Sequence, residues 1–359
     1  MYSPLYLLLV LAKERGAYVA ALEHRYYGQS HPFDKLTTEN LQYLSSKQAL
    51  ADLASFIEFL KEKNKNLNLY KVIIVGGSYS GCLSAWFRQM YPHLVLGSIS
   101  SSGPVLAKKD FFEYDQAISA AVPSDCRQNI QEAMQEAEAA ADADYESLRN
   151  KLACDKIDGS TDFLAGLGDM VAHAIQYNMD TGTPEEQTKK LLCDTMTAEL
   201  SENVTRLDQL FRFFRTMARN MNTSCNEWAS LEPIYNETVD YNDASRAWTY
   251  QTCTEFGYFQ TAPARAPLRS PRINTDYYDA ICKKAFGDTI HLDIDGTNDF
   301  YHARDSYATR VAFVNGMMDP WSRLGITSKT LTRLFLFLFL FFLVCLFYFF
   351  VFFYSVDWL

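Results

Sequence analysis

The 359-residue sequence predicts an α/β fold with a mainly parallel sheet and a large helical insertion. Strand and helix patterns alternate up to about residue 105, and β-branched residues fill the strand segments. The next two hundred or so residues carry Ala, Glu and Gln at helical spacing and lack β-branched runs. The predicted parts are a first core part at 1–107, a helical cap domain at 108–305, a return to the core at 306–327 and an apolar tail at 328–359.

Local signals predict the elements of the core. The helix at 45–64 opens with Ser45 and Ser46, which can cap it, and the helix at 82–91 ends before Pro92. Strands are predicted at 18–23, 71–75, 94–100 and 310–314, and cap helices at 128–152 and 207–221.

The strand at 71–75 runs directly into the residues Gly-Gly-Ser-Tyr-Ser-Gly. This pattern is typical of a strand, a tight turn and a helix, with the Ser78 hydroxyl held out of the sheet. The next amide, that of Tyr79, then lies at a helix N-terminus, which favours a developing negative charge. Ser78 is therefore a candidate nucleophile, although Ser80 stands where the G-x-S-x-G pattern has its last glycine. The alternative is an ordinary Gly/Ser loop after a buried strand.

Charge and metal-ligand spacing exclude two classes of function. The chain has a formal net charge of −10, and the negative charge is spread over the middle of the chain. This charge argues against a nucleic-acid partner. The eight cysteines form no C-x-x-C pair and no His/Cys cluster at zinc spacing, so we expect no metal site and no cofactor.

Cysteines and glycosylation sequons coincide in the middle of the chain. Six cysteines lie between Cys126 and Cys282, and sequons begin at Asn203, Asn222 and Asn236. Together they predict disulfides, glycosylation and a secretory, lysosomal or extracellular location. Free buried cysteines and chance sequons are the alternative, and spacing does not reveal which cysteines pair.

The two ends of the chain are unusual for a secreted protein. The first eleven residues make a poor signal peptide, and the chain is expected to start inside a domain that lacks its first strands. The uncharged run at 334–354 is long enough to cross a bilayer, which makes it a transmembrane candidate. Phe dominates this run, and a translated non-coding stretch would have the same composition.

An acidic residue follows the last predicted strand. Asp319 lies five residues beyond the strand at 310–314. A serine hydrolase of this topology needs a carboxylate at such a position to orient its histidine.

Several motifs in this order resemble the serine peptidase family of lysosomal Pro-Xaa carboxypeptidase and dipeptidyl peptidase II, and among its members most of all thymus-specific serine peptidases. The resemblance covers roughly residues 12–327. Its motifs are EHRYYGQS at 23–30, LSSKQALADL at 44–53, GGSYSG at 76–81, YPH at 91–93, SSGPV at 101–105, YQTCTEFGY at 250–258 and NGMMDPW at 315–321.

The resemblance implies an α/β-hydrolase core with a helical cap, and hydrolysis of peptides, often beside proline, through an acyl-enzyme. It implies Ser78 as nucleophile, Tyr79 as donor of an oxyanion amide and Asp319 as triad acid. It also implies a disulfide between Cys253 and Cys282, and places Glu255 where the cap meets the active site, with substrate binding as a hypothesis.

The sequence departs from the family at the catalytic base. The family's histidine lies beyond the acid, whereas all six histidines here precede Asp319, and the family's N-terminal Gly-rich strand-turn is also absent. His24 is the first substitute to consider, although a structural role is expected for a histidine inside that motif. Two hypotheses therefore stand: a serine exopeptidase of the carboxypeptidase or dipeptidyl-peptidase type, and a catalytically inactive binding homologue, tethered to a membrane if 334–354 is a real anchor.

Overall fold

The computed structural model describes residues 10, 12–180, 182–327 and 348–354, the last segment as backbone only. The chain divides into two compact units. The first contains 1–109, 236–257 and 282–359, and the second contains 110–235 and 258–281. Residues 236–257 and 282–305, which the sequence analysis assigned to the cap, thus group with the first unit. The cap boundaries at 107 and 305 stay a prediction.

The first unit is built on a five-stranded sheet with the order β1-β7-β2-β3-β6. Strands β2, β3 and β6 pair in parallel, while β7 pairs antiparallel with both β1 and β2. Strands β1, β2, β3 and β6 therefore all run in the same direction, as the alternating pattern predicts. The strands are β1 Tyr18–Glu23, β2 Lys71–Gly77, β3 Gly97–Ser101, β6 Val311–Val314 and β7 Tyr348–Tyr354.

Two helices of the first unit pack against each other, and one of them begins directly after Ser78. Helix α1 (Ser46–Lys63) begins after Ser45, whose side chain accepts the Gln48 amide, and buries a stripe that includes Leu50, Leu53 and Ile57. Helix α2 (Tyr79–Met90) follows β2 directly, and eleven of its twelve residues are buried. It begins three residues earlier than the sequence pattern predicts, because the turn consists of Ser78 alone.

The other elements of the first unit lie late in the chain or in short turns. Numbered in chain order, they are α10 Ser245–Gln251, a π-helical turn Thr252–Phe256, α12 Ile294–Tyr301, and 3-10 turns Asn40–Tyr43, Lys65–Leu69 and Pro320–Arg323. A disulfide joins Cys253 of the π-helical turn to Cys282. The chain passes between the units at four points, one of which lies between Tyr235 and Asn236. The other three lie within two short strands, β4 Lys108–Asp110 and β5 Gly257–Phe259, and within helix α11 Thr275–Phe286.

The second unit is mainly helical in the residues that the structure describes. Its core is formed by apolar stripes at helical spacing, such as Ile130, Ala133 and Ala137 on α4. Two disulfides, Cys126–Cys193 and Cys154–Cys225, resolve the pairing that spacing left open. Its helices are α3 Glu113–Ala120, α4 Ser124–Asn150, α5 Ser160–Gln176, α6 Thr188–Thr197, α7 Arg206–Asn220, α8 Cys225–Trp228 and α9 Glu232–Tyr235.

The transmembrane candidate falls mostly outside the described residues. Its first part, 334–347, including Cys345, is not described. Its last seven residues form strand β7 of the sheet. The poor signal peptide at 1–11 also lies outside the described residues, except for residue 10. In the part of the chain that the structure describes, no helix has the length and apolar character needed to cross a membrane.

Candidate active site

Ser78 alone forms the turn between β2 and α2, with φ of 56° and ψ of −128°. A left-handed φ is costly for a residue with a Cβ atom, and such strain persists where the surroundings enforce it. Here the Ser78 amide donates to the Ser101 carbonyl at 2.8 Å, which ties the turn to β3. The half-buried serine is thereby held at the carboxyl end of the sheet.

Glycines on either side of Ser78 allow this close turn. A Cβ atom on Gly76 would lie 2.0 Å from the Ser80 carbonyl oxygen. A Cβ atom on Gly81 would lie 2.7 Å from the Ser101 carbonyl oxygen and 3.2 Å from the Gly103 Cα. Ser80 is fully buried without such a conflict. The departure from G-x-S-x-G therefore reflects which residue of α2 approaches β3 most closely.

Tyr79 is the first residue of α2, so its amide has no acceptor within the helix. Its ring is buried, and its hydroxyl accepts the Gln251 amide Nε2 at 2.8 Å. The same hydroxyl lies 3.2 Å from His24 Nε2. The hydroxyl of Tyr79, the first residue of α2, is thus hydrogen-bonded to both Gln251 and His24.

These contacts form a chain whose proton directions can be assigned. The carbonyl oxygen of Arg25 lies 2.7 Å from His24 Nδ1 and can only accept, so Nδ1 carries the proton. His24 Nε2 is then the acceptor, and the Tyr79 hydroxyl donates to it. At the other end, Tyr27 donates to Gln251 Oε1 at 2.5 Å. Burial lowers the pKa of His24 to about 4, so the ring is neutral with both nitrogens engaged.

Asp319 lies in the loop after β6, where it caps the turn Pro320–Arg323. Its Oδ1 accepts the Trp321 amide at 3.0 Å. Its Oδ2 is buried and has no hydrogen-bond partner among the described residues. Burial raises the pKa of the Asp319 carboxyl to about 6, although Ser102 and the Trp321 amide partly oppose this. One oxygen of this carboxylate therefore remains available to a further donor.

The parallel strands bring Ser78 and Asp319 to the same edge of the sheet. Ser78 follows β2 and Asp319 follows β6, while β3 lies between these two strands. Because the carboxyl ends of parallel strands meet at one edge, residues that follow them collect there. The amide of Ser102, just after β3, donates to the Val314 carbonyl of β6 and ties the two loops together.

The carboxylate of Glu255 is buried and hydrogen-bonded to the start of helix α1. Part of the residue is exposed, but its carboxylate is buried and accepts the Ser46 amide at 3.0 and 3.1 Å as well as the Ser46 hydroxyl. Burial raises the pKa of this carboxyl to about 7, against the hydrogen bonds from Ser46 and Gln251 and the charge of Lys47. The hypothesis that Glu255 binds substrate stays a prediction.

The sequence pattern assigned no role to Tyr27 or Gln251 and only a helix-capping role to Ser46, whereas the N-cap in the structure is Ser45. All three lie within the quoted motifs, so the signal was present, but a motif does not reveal which of its residues touch across the fold. Gln251 is 172 residues from Tyr79 in sequence.

The predicted glycosylation and metal sites can also be compared with the structure. The three sequon asparagines, Asn203, Asn222 and Asn236, are exposed. Among the described residues, no group of three or more His, Cys, Asp or Glu side chains could hold a metal ion.

Comparison with known proteins identifies the family. Residues 3–338 match the profile described as serine carboxypeptidase S28. The chain belongs to this family. The S28 fold is of the α/β-hydrolase type, in agreement with the parallel strands and the helical insertion.

Individual relatives resemble the chain, two of them over most of its length and a third over a shorter segment. The chain is 37% identical over 328 residues to the probable serine protease EDA2 of Arabidopsis thaliana, which covers 87% of this chain and 63% of that protein. It is 32% identical over 340 residues to the thymus-specific serine protease of Mus musculus, covering 88% and 66%. A segment of 108 residues is 44% identical to the lysosomal Pro-X carboxypeptidase of Bos taurus, covering 29% and 22%. The chain thus spans just under two thirds of the length of the first two relatives.

Proposed function

We propose that Ser78, the Tyr79 amide and Asp319 form the nucleophile, an oxyanion donor and the acid of a serine-peptidase site. In this mechanism the Ser78 hydroxyl attacks a peptide carbonyl and gives its proton to an imidazole that Asp319 would orient, while the negative charge that develops on the carbonyl oxygen faces the Tyr79 amide. The imidazolium returns this proton to the amine as the C–N bond breaks, and water that loses a proton to the same imidazole then releases the acyl group from Ser78. The 359-residue sequence has no histidine beyond Asp319, where the resemblance places this base.

The observation that carries this proposal is the backbone conformation of Ser78. A non-glycine residue with φ of 56° between a strand and a helix is strained, and strain of this kind concentrates at functional sites. The Oδ2 of Asp319, which has no hydrogen-bond partner among the residues that the structure describes, supports it independently. Leaving a buried acceptor unsatisfied costs about 1–3 kcal/mol, which is explained if a donor binds there in the working enzyme.

The substrate class and compartment are part of the same proposal. Membership of the S28 family, which includes a Pro-X carboxypeptidase, supports an exopeptidase that cleaves near proline. Three disulfides and three exposed sequons support a secretory route to a lysosomal or extracellular site. Peptides are the expected partners.

A second candidate function is a catalytically inactive, peptide-binding member of the family. The observation in its favour is that no histidine follows Asp319 in this sequence. His24 does not replace that base as it stands, because one ring nitrogen donates to a carbonyl and the other accepts from Tyr79.

Covalent labelling tests the nucleophile. We expect an organophosphonate to label Ser78 in a version of the chain extended by the histidine-bearing C-terminal segment of a relative. Ser78→Ala should abolish labelling, and the matched variant Ser80→Ala should retain it, because Ser80 is buried in α2. Labelling that persists in Ser78→Ala, or that depends on Ser80, contradicts the assignment.

A further inference from the structure

The Glu255 carboxylate is the junction of two hydrogen-bonded branches in the first unit. One branch leads to the start of α1, where the amide and hydroxyl of Ser46 donate to it. The Ser46 hydroxyl also lies 2.9 Å from the hydroxyl of Tyr301. The other branch leads to the side-chain amide of Gln251. Glu255 itself lies in the π-helical turn after α10, a type of irregularity that is frequent at functional sites.

The second branch ends at the nucleophile turn. The fully buried Gln251 donates from Nε2 to the Tyr79 hydroxyl at 2.8 Å and accepts at Oε1 from Tyr27. Tyr79 in turn donates to His24 Nε2. The ring of Tyr79 belongs to the first residue of α2, so the position of this ring is coupled to the start of the helix.

The charge of Glu255 decides which way the Gln251 amide points. An ionised carboxylate can only accept hydrogen bonds, so it must face the NH₂ group of Gln251 and not its oxygen. A flipped amide would place Oε1 against the carboxylate and would take the Tyr79 proton away from His24. An ionised Glu255 therefore enforces the observed chain, whereas a neutral group at this position can donate and tolerates the flip.

We propose that Glu255 is a positioning residue for the nucleophile turn, because it fixes the Gln251 amide and, through it, the Tyr79 residue whose backbone amide faces the oxyanion. The oxyanion part of this role rests on the proposed function. Packing of the Tyr79 ring against Trp248 and Phe256, each with ring centroids 5.5 Å away, also restrains it. Loss of the Glu255 charge is therefore expected to loosen the position of Tyr79 only in part.

Glu255 changes charge near neutral pH, since burial raises its pKa to about 7. Lys47 is the charged side chain that opposes this rise. The pKa of each facing tyrosine is raised above its ordinary value by burial and by Glu255, so these hydroxyls stay neutral between pH 5 and 8. They are Tyr27, Tyr79, Tyr250 and Tyr301. Within this network, Glu255 is thus the group that titrates in that range.

Amide hydrogen exchange of the 359-residue chain tests the proposal without requiring activity. Exchange in the peptide 78–83, divided by its intrinsic rate at each pH, should be about tenfold faster in Glu255→Gln than in the parent at pH 8, the effect of losing about one hydrogen bond. At pH 5 the parent carboxyl is itself neutral, so the two proteins should differ less than about twofold. The matched control is Glu227→Gln, because Glu227 also accepts the amide and hydroxyl of a serine at a helix start but belongs to the second unit. It should leave the peptide 78–83 unchanged at both pH values.

Two further variants separate the branches. Ser46→Ala should alter exchange at 46–50 and not at 78–83. Gln251→Met should speed exchange at 78–83 at both pH values, and adding Glu255→Gln to it should have no further effect, because the link is already broken. If Glu255→Gln changes only the peptide 46–50, or if its effect adds fully to that of Gln251→Met, Glu255 merely caps α1 and the proposal is wrong.

Labelling distinguishes this failure from failure of the proposed function. If exchange at 78–83 is insensitive to Glu255 while an organophosphonate labels Ser78 in the extended chain, the positioning role is overturned and the nucleophile stands. If exchange responds as expected but Ser78 is never labelled, Glu255 does position Tyr79 and the catalytic assignment is what fails.

Discussion

At the scale of single residues, the turn at Ser78 depends on what its neighbours lack. Gly76 and Gly81 have no Cβ atom, and each lies where one would meet a backbone carbonyl oxygen. The motif was sufficient to predict the turn and its serine. It could not reveal that Gly81 serves the approach to β3, because that contact depends on the position of a strand twenty residues away.

Replacing Gly76 with alanine should damage the turn. The added Cβ would lie 2.0 Å from the Ser80 carbonyl oxygen, which belongs to the backbone and has no room to move. We expect Gly76→Ala to lower the free energy of unfolding by about 2–4 kcal/mol, measured by urea denaturation. The control is Gly159→Ala, whose Cβ would meet only the side chain of Asp162, with Oδ2 nearest at 2.7 Å. Equal stability of the two variants would contradict the strained turn.

The raised pKa of Glu255 has a consequence for stability. Between pH 4.5 and about 7, the folded protein holds a proton on Glu255 that the unfolded chain has lost, so this residue destabilises the fold as pH rises. Glu255→Gln does not titrate there, so the stability of the variant relative to the parent should rise by about 3 kcal/mol from pH 4.5 to 7.5.

The measurement is urea denaturation of both proteins across that range. His24 and His173, whose pKa values are lowered to about 4, act with the opposite sign, but they are present in both proteins and cancel in the difference. A difference that stays constant with pH would show that the pKa of Glu255 is not raised.

At the scale of elements, the existence of strands and helices was predicted better than their first residues. The segment 18–23 matches β1, whereas β3 begins at Gly97 and not at residue 94, and α2 begins at Tyr79 and not at Cys82. The apolar run at 334–354 shows the limit of local patterns. Its length and hydropathy suit a membrane helix, yet Tyr348–Tyr354 pairs between β1 and β2, a contact that only the rest of the sheet can provide.

Two sequons lie directly before helices, so different variants can remove a glycan with or without removing the helix cap. Thr205 and Ser224, the third residues of the sequons at Asn203 and Asn222, are the N-caps of α7 and α8. Expressed in a secretory host, the protein should show a mass that an N-glycosidase reduces, and Asn203→Gln should remove one glycan without loss of the cap.

Thr205→Ala should remove the same glycan and also cost about 1 kcal/mol of unfolding free energy, because the capping interaction is lost. Intact-mass spectrometry and thermal denaturation of the two variants check this pair of outcomes. An unmodified mass for the parent protein would contradict exposure of these sites to the secretory pathway.

At the scale of the whole molecule, the candidate site is assembled from distant parts of the chain. In the sequence, all residues of the second unit lie between Ser78 and Asp319. Gln251, which donates a hydrogen bond to Tyr79, belongs to the segment 236–257, where the chain first returns to the first unit. Motif order was enough to predict the fold type and to nominate Ser78 and Asp319. The buried chain from Tyr27 to His24 could not be predicted, because hydrogen-bond partners follow from packing and leave no periodic signal.

The arrangement of Ser78 and Asp319 leads to a prediction about the turnover rate of the 359-residue chain. Assayed on Pro-Xaa and prolyl-dipeptide substrates, the 359-residue chain should turn over at least about 10⁴-fold more slowly than a version extended by the histidine-bearing end of a relative. In the proposed mechanism Asp319 would orient and stabilise an imidazole but would not itself take the serine proton, and its Oδ2 has no donor among the described residues. The proposed oxyanion amide would not compensate, because such an amide stabilises only an intermediate that forms after attack.

His24 is the residue that could overturn this prediction. To act as a base it would have to release the Tyr79 hydroxyl and accept a proton at a nitrogen whose pKa burial holds near 4, so it would be a weak base at neutral pH. Comparable turnover of the short and extended proteins would show that another residue takes the proton. Loss of that turnover in His24→Gln, with retention in the matched variant His31→Gln, would then identify His24 as the base and remove the reason for regarding the chain as inactive.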